Sequence, residues 1–198
     1  MSELIVNGIE GMISDVHIYD FVESIRASKY PMAVDPNKST PDITKTTKAL
    51  GSCSIGEGHD NFLNGIRVAF DLTLSNKAWV EAERYHFFDF VSSQSTMHRI
   101  TKFDFDKQCN EYITDNTKVE MKRLIAAYNE NPTVENYLTV LYNNPSGFKL
   151  TARMTTNYRQ LKTIYYQRRN HRLPEWRTFC SWIEELPYFK ELVLKAEN

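Results

Sequence analysis

The chain has 198 residues, of which 41% are hydrophobic and 25% are charged, and its formal net charge is −1. Such a chain can bury one large core, and its neutral balance excludes a global attraction to nucleic acid or to acidic membranes. Three cysteines without a CxxC pair argue against disulfide-framework and zinc-binding proteins. We expect no signal peptide, no membrane helix and no metal, and we predict one domain over residues 1–198 in the cytoplasm.

Hydrophobic periodicity predicts two strands and two helices in the first part of the chain. In chain order these are a strand at residues 3–9, a helix at 14–28, a helix at 43–52 and a strand at 66–74. Ser14 is the expected N-cap of the first helix, and Gly51 is expected to end the second. A proline-rich stretch between the two helices, at residues 30–42, is typical of an exposed loop.

The remainder of the chain is predicted to be mostly helical. Ser75 can cap a helix that continues to residue 90, and residues 91–99 then form a polar loop. Further helices are predicted at residues 118–128, at 133–141 after Pro132, at 155–170 behind threonine caps, and at 174–186 after an initial proline. Few strands combined with many helices indicate the α+β class.

The stretch RYHFFDFVSSQSTMHR, Arg84 to Arg99, contains four basic side chains, four aliphatic hydroxyls and three phenylalanines. It is either a helix end that continues into a polar loop, or an anion site for a ligand that also has a flat ring. Fixed cations and hydroxyl donors suit a phosphate, and phenylalanines pack against planar groups.

Two other segments are candidates for binding. The glycine-rich segment 51–61 contains His59, but it lacks the Lys-Ser/Thr ending of a nucleotide-triphosphate loop and can equally be a flexible turn. Asn157 and Arg168 lie on one helix face with apolar residues between them, which suits phosphate binding or a solvated basic helix. Interleaved basic and aromatic side chains also permit nucleic-acid binding, although the near-neutral charge argues against it.

The familiar catalytic patterns GxSxG and HExxH are absent from the sequence. An enzyme built on this chain would therefore depend on a cofactor.

Taken together, the segments resemble the flavin-dependent thymidylate synthases. That family has a Gly-His pair, an alternating strand, a helix that ends in Arg-His-Arg, and a Ser/Asn-rich loop that closes on Ser-x-Arg. The same order occurs here from Gly58 to Arg99, without a gap as far as Arg84.

The family's late motif is also matched. Its Asn-x-Arg-x-Leu pattern, with an arginine eleven residues after the Asn, corresponds to Asn157, Arg159, Leu161 and Arg168, and Pro145 matches a proline twelve residues before the Asn. Near the first predicted helix, IRAS resembles the family's Arg-x-Ser and places Ser28 at a flavin-contacting position.

The resemblance implies a fold, a reaction and a set of site residues. The flavin is FAD, and the implied reaction is reductive methylation of C5 of deoxyuridylate with methylenetetrahydrofolate and NADPH as co-substrates. The protein would be a homotetramer with active sites between subunits. Implied flavin contacts are Ser28, His59, His86, Asn157 and Arg159. Implied nucleotide contacts are Arg84, Ser93, Gln94, Ser95, Arg99 and Arg168, of which Arg84 and Arg168 are also the implied catalytic residues.

The sequence departs from the family pattern at several positions. The Arg-His-Arg signature reads Arg84-Tyr85-His86, Glu81 replaces a glutamine, and Leu141 replaces an arginine. The loop to Arg99 is longer than the family loop. Two alternatives therefore stay open: a relative that makes another modified pyrimidine nucleotide, such as a hydroxymethylated one, and a non-catalytic nucleotide- or flavin-binding protein of the same fold.

Overall fold

The computed structural model describes residues 2–194. Among these residues, five strands form one antiparallel sheet in the spatial order β1-β2-β3-β5-β4. The strands are β1 (Glu3–Val6), β2 (Ile13–Tyr19), β3 (Arg67–Ser75), β4 (Asp89–Ser93) and β5 (Lys149–Asn157). The prediction of an α+β fold is confirmed.

The sheet is buried on one face because its central strands alternate in hydrophobicity. Phe70 of β3 lies opposite Met154 of β5, and both side chains are fully buried. On the other face the neighbouring pair is charged: Arg153 Nη1 lies 3.3 Å from Asp71 Oδ1. This alternation of apolar and polar side chains is typical of an antiparallel sheet with one solvated face.

Helices cover the apolar face and build a second, smaller cluster beside it. They are α1 (Phe21–Ala27), α2 (Lys45–Gly51), α3 (Asn76–Ala82), α4 (Thr96–Arg99), α5 (Phe105–Gln108), α6 (Asp115–Glu130), α7 (Val134–Tyr142), α8 (Tyr158–Arg168), α9 (Pro174–Glu185) and α10 (Phe189–Val193). The main core lies between the sheet and α8, α9 and α10. The smaller cluster joins α5, α6 and α7 around Phe148, and Leu150 packs against both clusters.

The helix predicted at residues 14–28 is wrong. The first half of this segment is β2, which pairs with β3, and only its second half is helical. Asp15 has a positive φ of 49° at a register shift in β2, so Val16 and Ile18 remain on the buried face. Cross-strand pairing with a strongly apolar neighbour here outweighs the helical periodicity.

The structure also corrects two boundaries around the candidate site. The helix that begins after Ser75 ends at Ala82 instead of residue 90, and residues 89–93 form β4. Threonine caps were predicted for the helix at residues 155–170, but Thr155 and Thr156 belong to β5, and Asn157 is the N-cap. Both errors have one cause. β4 and β5 pair with each other, and this pairing stabilises as strands the residues that were predicted as helix or loop.

The other predicted elements are confirmed, within a few residues at their ends. Ser75 accepts a hydrogen bond from the backbone N–H of Ala78 and caps α3. α2 ends at Gly51, and α6, α7 and α9 lie where helices were predicted. Within residues 2–194, every helix is too short or too polar to cross a membrane.

Candidate functional site

Arg168, the last residue of α8, is held between α3 and α9. Its Nε donates to the Tyr85 hydroxyl over 2.7 Å, and its Nη1 donates to Glu81 Oε2 over 2.7 Å. The guanidinium carbon lies 5.5 Å from the ring centroid of Tyr85 and 5.0 Å from that of Trp176. Because the side chain is only 15% exposed, these contacts fix the position of the guanidinium.

Glu81 and Tyr85 are anchored in turn. Glu81 Oε2 also accepts from Trp176 Nε1 over 3.2 Å and lies 3.3 Å from His171 Nε2. The Tyr85 hydroxyl donates to Gln167 Oε1 over 2.9 Å, and burial raises the pKa of this phenol, which therefore stays neutral. Glu81 and Tyr85, two of the positions at which the sequence departs from the family pattern, thus cooperate to hold Arg168.

Arg84 and His86 lie in a segment that is anchored by its other residues. Tyr85 reaches α8, and the Thr156 hydroxyl donates to the Phe87 carbonyl over 2.7 Å. The side chains of Arg84 and His86 are both exposed, and neither forms a hydrogen bond or an ion pair with any other residue of the range 2–194. They are therefore available to a ligand.

Phe87 stands at the turn from this segment into β4 with a positive φ of 58°. A non-glycine residue in the left-handed region costs about 1–3 kcal/mol and persists only where the surrounding structure imposes it. The neighbouring Phe88 is buried in the main core, so the turn is imposed by packing on one side and by β4 pairing on the other.

The segment predicted as a polar loop contains two short elements. Ser93 ends β4, and Gln94 extends the pairing, since its backbone N–H donates to the Thr151 carbonyl and its Oε1 accepts from the Thr151 N–H, both over 2.9 Å. Ser95 precedes α4, and Arg99 ends it with an exposed side chain. The Gln94 amide nitrogen and the guanidinium of Arg99 have no partner within the described chain.

A buried ion cluster lies at the first turns of α8. Asp60 accepts from Arg159 Nε over 2.9 Å and from Lys162 Nζ over 2.7 Å. Lys162 is 1% exposed, and its remaining donors go to the carbonyls of Gly51 and Cys53 over 2.8 and 2.7 Å. The cluster therefore fastens the glycine-rich segment 51–61 to α8.

Ser28 and His59 line one cavity of about 790 Å³. The Ser28 hydroxyl donates to the Ile25 carbonyl over 2.7 Å and is buried, whereas the imidazole of His59 is exposed. Apolar walls come from Met32, Leu50 and Phe62. The cavity thus combines apolar side chains with a few polar groups, which is the usual character of a small-molecule site.

Asn157 begins α8 as its N-cap, and its Oδ1 accepts from the Gln160 N–H over 2.9 Å. Arg159 follows in the first turn, whereas Arg168 ends the helix. Nine residues at 1.5 Å each place these two arginines about 14 Å apart along the axis. The structure therefore brings together Ser28 and His59, with Arg159 tied to the neighbouring Asp60, and it separates them from Arg168.

Sequence reasoning missed the supporting residues Asp60, Lys162 and Trp176 and the supporting role of Glu81. One signal was available for Lys162. It lies on the buried face of α8 between Tyr158 and Tyr165, where a lysine needs a buried partner. Apart from Lys77 on the same helix, the partners of Glu81 could not be predicted, because they are contributed by segments that are distant in sequence.

No known family model and no curated protein matches the sequence. Comparison of folds gives a different result. A crystal structure of the flavin-dependent thymidylate synthase ThyX from Helicobacter pylori, complexed with FAD and dUMP, superposes with a TM-score of 0.67 over 92% of this chain and 98% of that chain. The chain has the fold of the flavin-dependent thymidylate synthases.

A second structure of the ThyX protein from Helicobacter pylori, also with FAD and dUMP, agrees with a TM-score of 0.67 over 91% of this chain and 97% of that one. In both structures the sequence identity with this chain is 16%. The ThyX fold therefore extends over nearly the whole molecule, while most side chains differ. The similarity establishes the arrangement of elements, and the ligands of this chain must be argued from its own side chains.

Proposed function

We propose that the protein is a flavin-dependent enzyme that transfers one carbon to C5 of deoxyuridylate, in the manner of a thymidylate synthase. The observation that carries this proposal is the meeting of Ser28 and His59 on one cavity. They are distant in sequence, and each was assigned to the flavin by a separate part of the family pattern. Their convergence in a chain with the ThyX fold supports a common ligand.

The cavity has the chemistry that FAD requires. Met32, Leu50 and Phe62 supply an apolar surface for a flat ring, and the exposed imidazole of His59 can donate to a ring carbonyl or to a phosphate. His86, Asn157 and Arg159 are the further proposed flavin contacts. Arg159 directs only its Nε at Asp60, so its terminal nitrogens can donate to a phosphate. The flavin supplies the redox chemistry when it is bound.

The nucleotide is proposed to bind Arg84 and the segment 93–99. Arg84 and Arg99 offer planar cations without internal partners, and the Ser93 and Ser95 hydroxyls and the Gln94 amide nitrogen can donate to a phosphate or a pyrimidine carbonyl. Arg168 has a different character. With Nε and Nη1 engaged, it presents only its Nη2 edge, and Glu81 compensates its charge.

In this reaction the chain orients its ligands and supplies no nucleophile. Arg84 would hold the pyrimidine in place and stabilise negative charge on its carbonyl oxygens, and the rigidly held Arg168 would fix the position of the ring. Methylenetetrahydrofolate is the proposed carbon donor, and NADPH is the proposed reductant. Both would bind as co-substrates.

A homotetramer with sites shared between subunits is part of the proposal. Within one chain the proposed flavin contact Arg159 and the proposed nucleotide contact Arg168 are about 14 Å apart along α8. An elongated ligand, or residues of a neighbouring subunit, must therefore complete the site.

The first experiment is a titration of flavin-free protein with FAD, followed by absorbance and fluorescence. Saturable binding with a perturbed flavin spectrum is expected, and its absence would refute both proposed enzymatic functions.

The second experiment is incubation with deoxyuridylate or deoxycytidylate, methylenetetrahydrofolate and NADPH, with mass spectrometry of the products.

The product decides between the proposed reaction and its alternative. A mass increase of one methyl group on deoxyuridylate supports thymidylate synthesis, while a hydroxymethyl group supports the related modifying enzyme, which is favoured by Glu81 and Tyr85. If flavin binds but neither nucleotide reacts, the remaining reading is a non-catalytic nucleotide- or flavin-binding protein.

A further inference from the structure

A second cavity, of about 630 Å³, lies between the main core and the smaller helical cluster. Its walls come from β3, the start of α3, the turn before β5, and the start of α9. Four cationic side chains line it: Lys77, Lys149, Arg172 and Arg177. We infer that this cavity binds a phosphate-bearing ligand with an adjoining ring, of the nucleoside diphosphate class. The inference goes beyond the proposed function and does not depend on it.

Apart from Lys77, whose Nζ lies 3.8 Å from Glu81 Oε1, the cations that line the cavity form no ion pair with a carboxylate of residues 2–194. The side chain of Lys149 is half-buried, and those of Lys149 and Arg172 have neither a hydrogen bond nor an ion pair within residues 2–194. Arg177 Nη1 donates to the carbonyls of His171 and Arg172 over 2.6 and 2.9 Å, which fixes the guanidinium without neutralising it. An oriented arginine beside free cations is suited to phosphate oxygens.

The acidic residues of the cavity do not cancel this charge. Glu175 uses both carboxylate oxygens internally, because Oε1 accepts from the Ser75 N–H over 2.7 Å and Oε2 from the Ser75 hydroxyl over 2.9 Å. Glu111 is exposed at the rim. Four cations and two carboxylates line the cavity, and this excess of positive charge favours a multiply charged anion such as a diphosphate group.

The remaining wall is apolar. Met12, Ile113, Leu173 and Pro174 form it, and they offer a surface for a ring. At Gly147 a Cβ atom would lie 2.6 Å from Asn110 Oδ1, so the two loops that close this side are in tight contact. Inorganic phosphate alone would leave the apolar wall uncovered, and an apolar molecule alone would leave the cations unpaired. A nucleotide satisfies both.

The inference is tested by titrating flavin-free, full-length protein with ADP and, separately, with inorganic pyrophosphate. We expect Lys149→Gln and Arg172→Gln each to weaken ADP binding about tenfold, the scale of one hydrogen bond to a charged group. Lys102→Gln is the matched control, since Lys102 is exposed and lies outside the residues that line the cavity. Pyrophosphate should bind more weakly than ADP, because it cannot use the apolar wall.

Because FAD itself contains an ADP moiety, the same variants are titrated with FAD. Unchanged FAD affinity, together with the loss of ADP affinity, supports a separate nucleotide site. If FAD and ADP affinities fall together, the cavity belongs to the flavin site and the inference of a separate site is overturned. The inference is also overturned if the variants bind ADP as the parent does, or if the parent does not bind ADP at millimolar concentration. A parent protein that binds ADP but not FAD would support this site and refute the proposed function.

Discussion

Arg168 and Glu81 form a short ion pair, 2.7 Å between Nη1 and Oε2, that joins the last residue of α8 to the last turn of α3. The pair is largely buried, with side-chain exposures of 15% and 16%. Trp176 and Tyr85 enclose it, and each contributes a hydrogen bond. The candidate site is therefore supported by an internal electrostatic cluster that includes Glu81 and Tyr85, two of the positions that depart from the family pattern.

Replacement of Glu81 by alanine should lower the free energy of unfolding by about 2–4 kcal/mol, because Arg168 would lose its counter-charge in a mostly buried position. Glu81→Gln should cost less, since an amide oxygen still accepts from Nη1. Urea denaturation measures both. Glu120→Ala is the control, because Glu120 pairs with Arg123 on the exposed surface of α6 and its loss should change little. Equal effects of the two alanine variants would contradict a supporting role for Glu81.

Replacement of His86 by arginine should tighten FAD binding. His86 is exposed and has no partner in the described chain, so the variant should fold normally, and the added guanidinium restores a fixed charge of the family signature. Restoring histidine at Tyr85 is a poorer test, since it removes the hydrogen bonds of Tyr85 to Arg168 and Gln167. Fluorescence titration gives the affinity. An unchanged or weaker value would mean that this site no longer serves a flavin.

Replacement of Lys162 by methionine should destabilise the protein by about 3–5 kcal/mol, because it removes one partner of a buried ion pair. Asp60 would retain only Arg159, and two loop carbonyls would lose their donor. Chemical denaturation measures the loss. Lys48→Met is the control, since Lys48 pairs with Glu191 at the surface. FAD affinity should fall as well, because the loop that carries His59 would loosen. A loss of stability no larger than that of Lys48→Met would argue against a stabilising role of the cluster.

Much of the fold could be predicted from the sequence because its periodicity is strong where one face is buried. β3 and α9 are examples, with buried residues at every second position in β3 and in one stripe of α9. β2 and β5 could not be predicted, because each owes its conformation to a neighbouring strand. The helix predicted at residues 155–170 includes the last three residues of β5, although the buried residues Ala152, Met154 and Thr156 of this strand alternate.

The candidate site was predictable in part. Ser28 and His59 meet on one cavity, as their assignment to one ligand requires. The internal use of Arg168 was not predictable, since Glu81, Tyr85 and Trp176 come together only through the packing of α3 against α8 and α9. A basic residue at a helix end suggests a ligand contact in the sequence, and its partners become known only from the fold.

His17 should make the stability of the sheet edge depend on pH. Its Nε2 lies 2.9 Å from Asp15 Oδ1 and its Nδ1 2.8 Å from Glu3 Oε1, so hydrogen bonds to Asp15 first and to Glu3 second raise the pKa of His17. Because the pKa of His17 is higher in the folded than in the unfolded protein, protonated His17 stabilises the fold. This stabilisation is complete below the unfolded pKa of about 6.5 and is lost as the pH rises through the folded pKa. Asp15 stays ionised in this window, since its pKa is lowered.

The variant His17→Asn measures this contribution. The difference in melting temperature between the parent and the variant should be largest near pH ~6 and should shrink as the solution becomes alkaline. A difference that is independent of pH would mean that His17 contributes by packing against Tyr19, on which its ring is stacked with centroids 6.1 Å apart.

Arg84 is the proposed centre of nucleotide recognition, and Arg84→Lys separates this role from a structural one. On a helix, Glu81 and Arg84 would be spaced for an ion pair. Instead, α3 ends at Ala82, and Glu81 pairs with Arg168. Arg84 is exposed and unpaired in residues 2–194, so the lysine variant should keep the melting temperature of the parent.

Nucleotide binding should respond differently, because lysine keeps the charge but loses the planar fork that donates two parallel hydrogen bonds. We expect the affinity for deoxyuridylate to fall about tenfold, the scale of one charge-assisted hydrogen bond, with turnover falling at least as much. Arg123→Lys on α6 is the matched control for an arginine-to-lysine exchange away from the site. If Arg84→Lys binds deoxyuridylate and turns it over like the parent, Arg84 has no part in recognition, and the nucleotide must be held by Arg99 and the segment that precedes it.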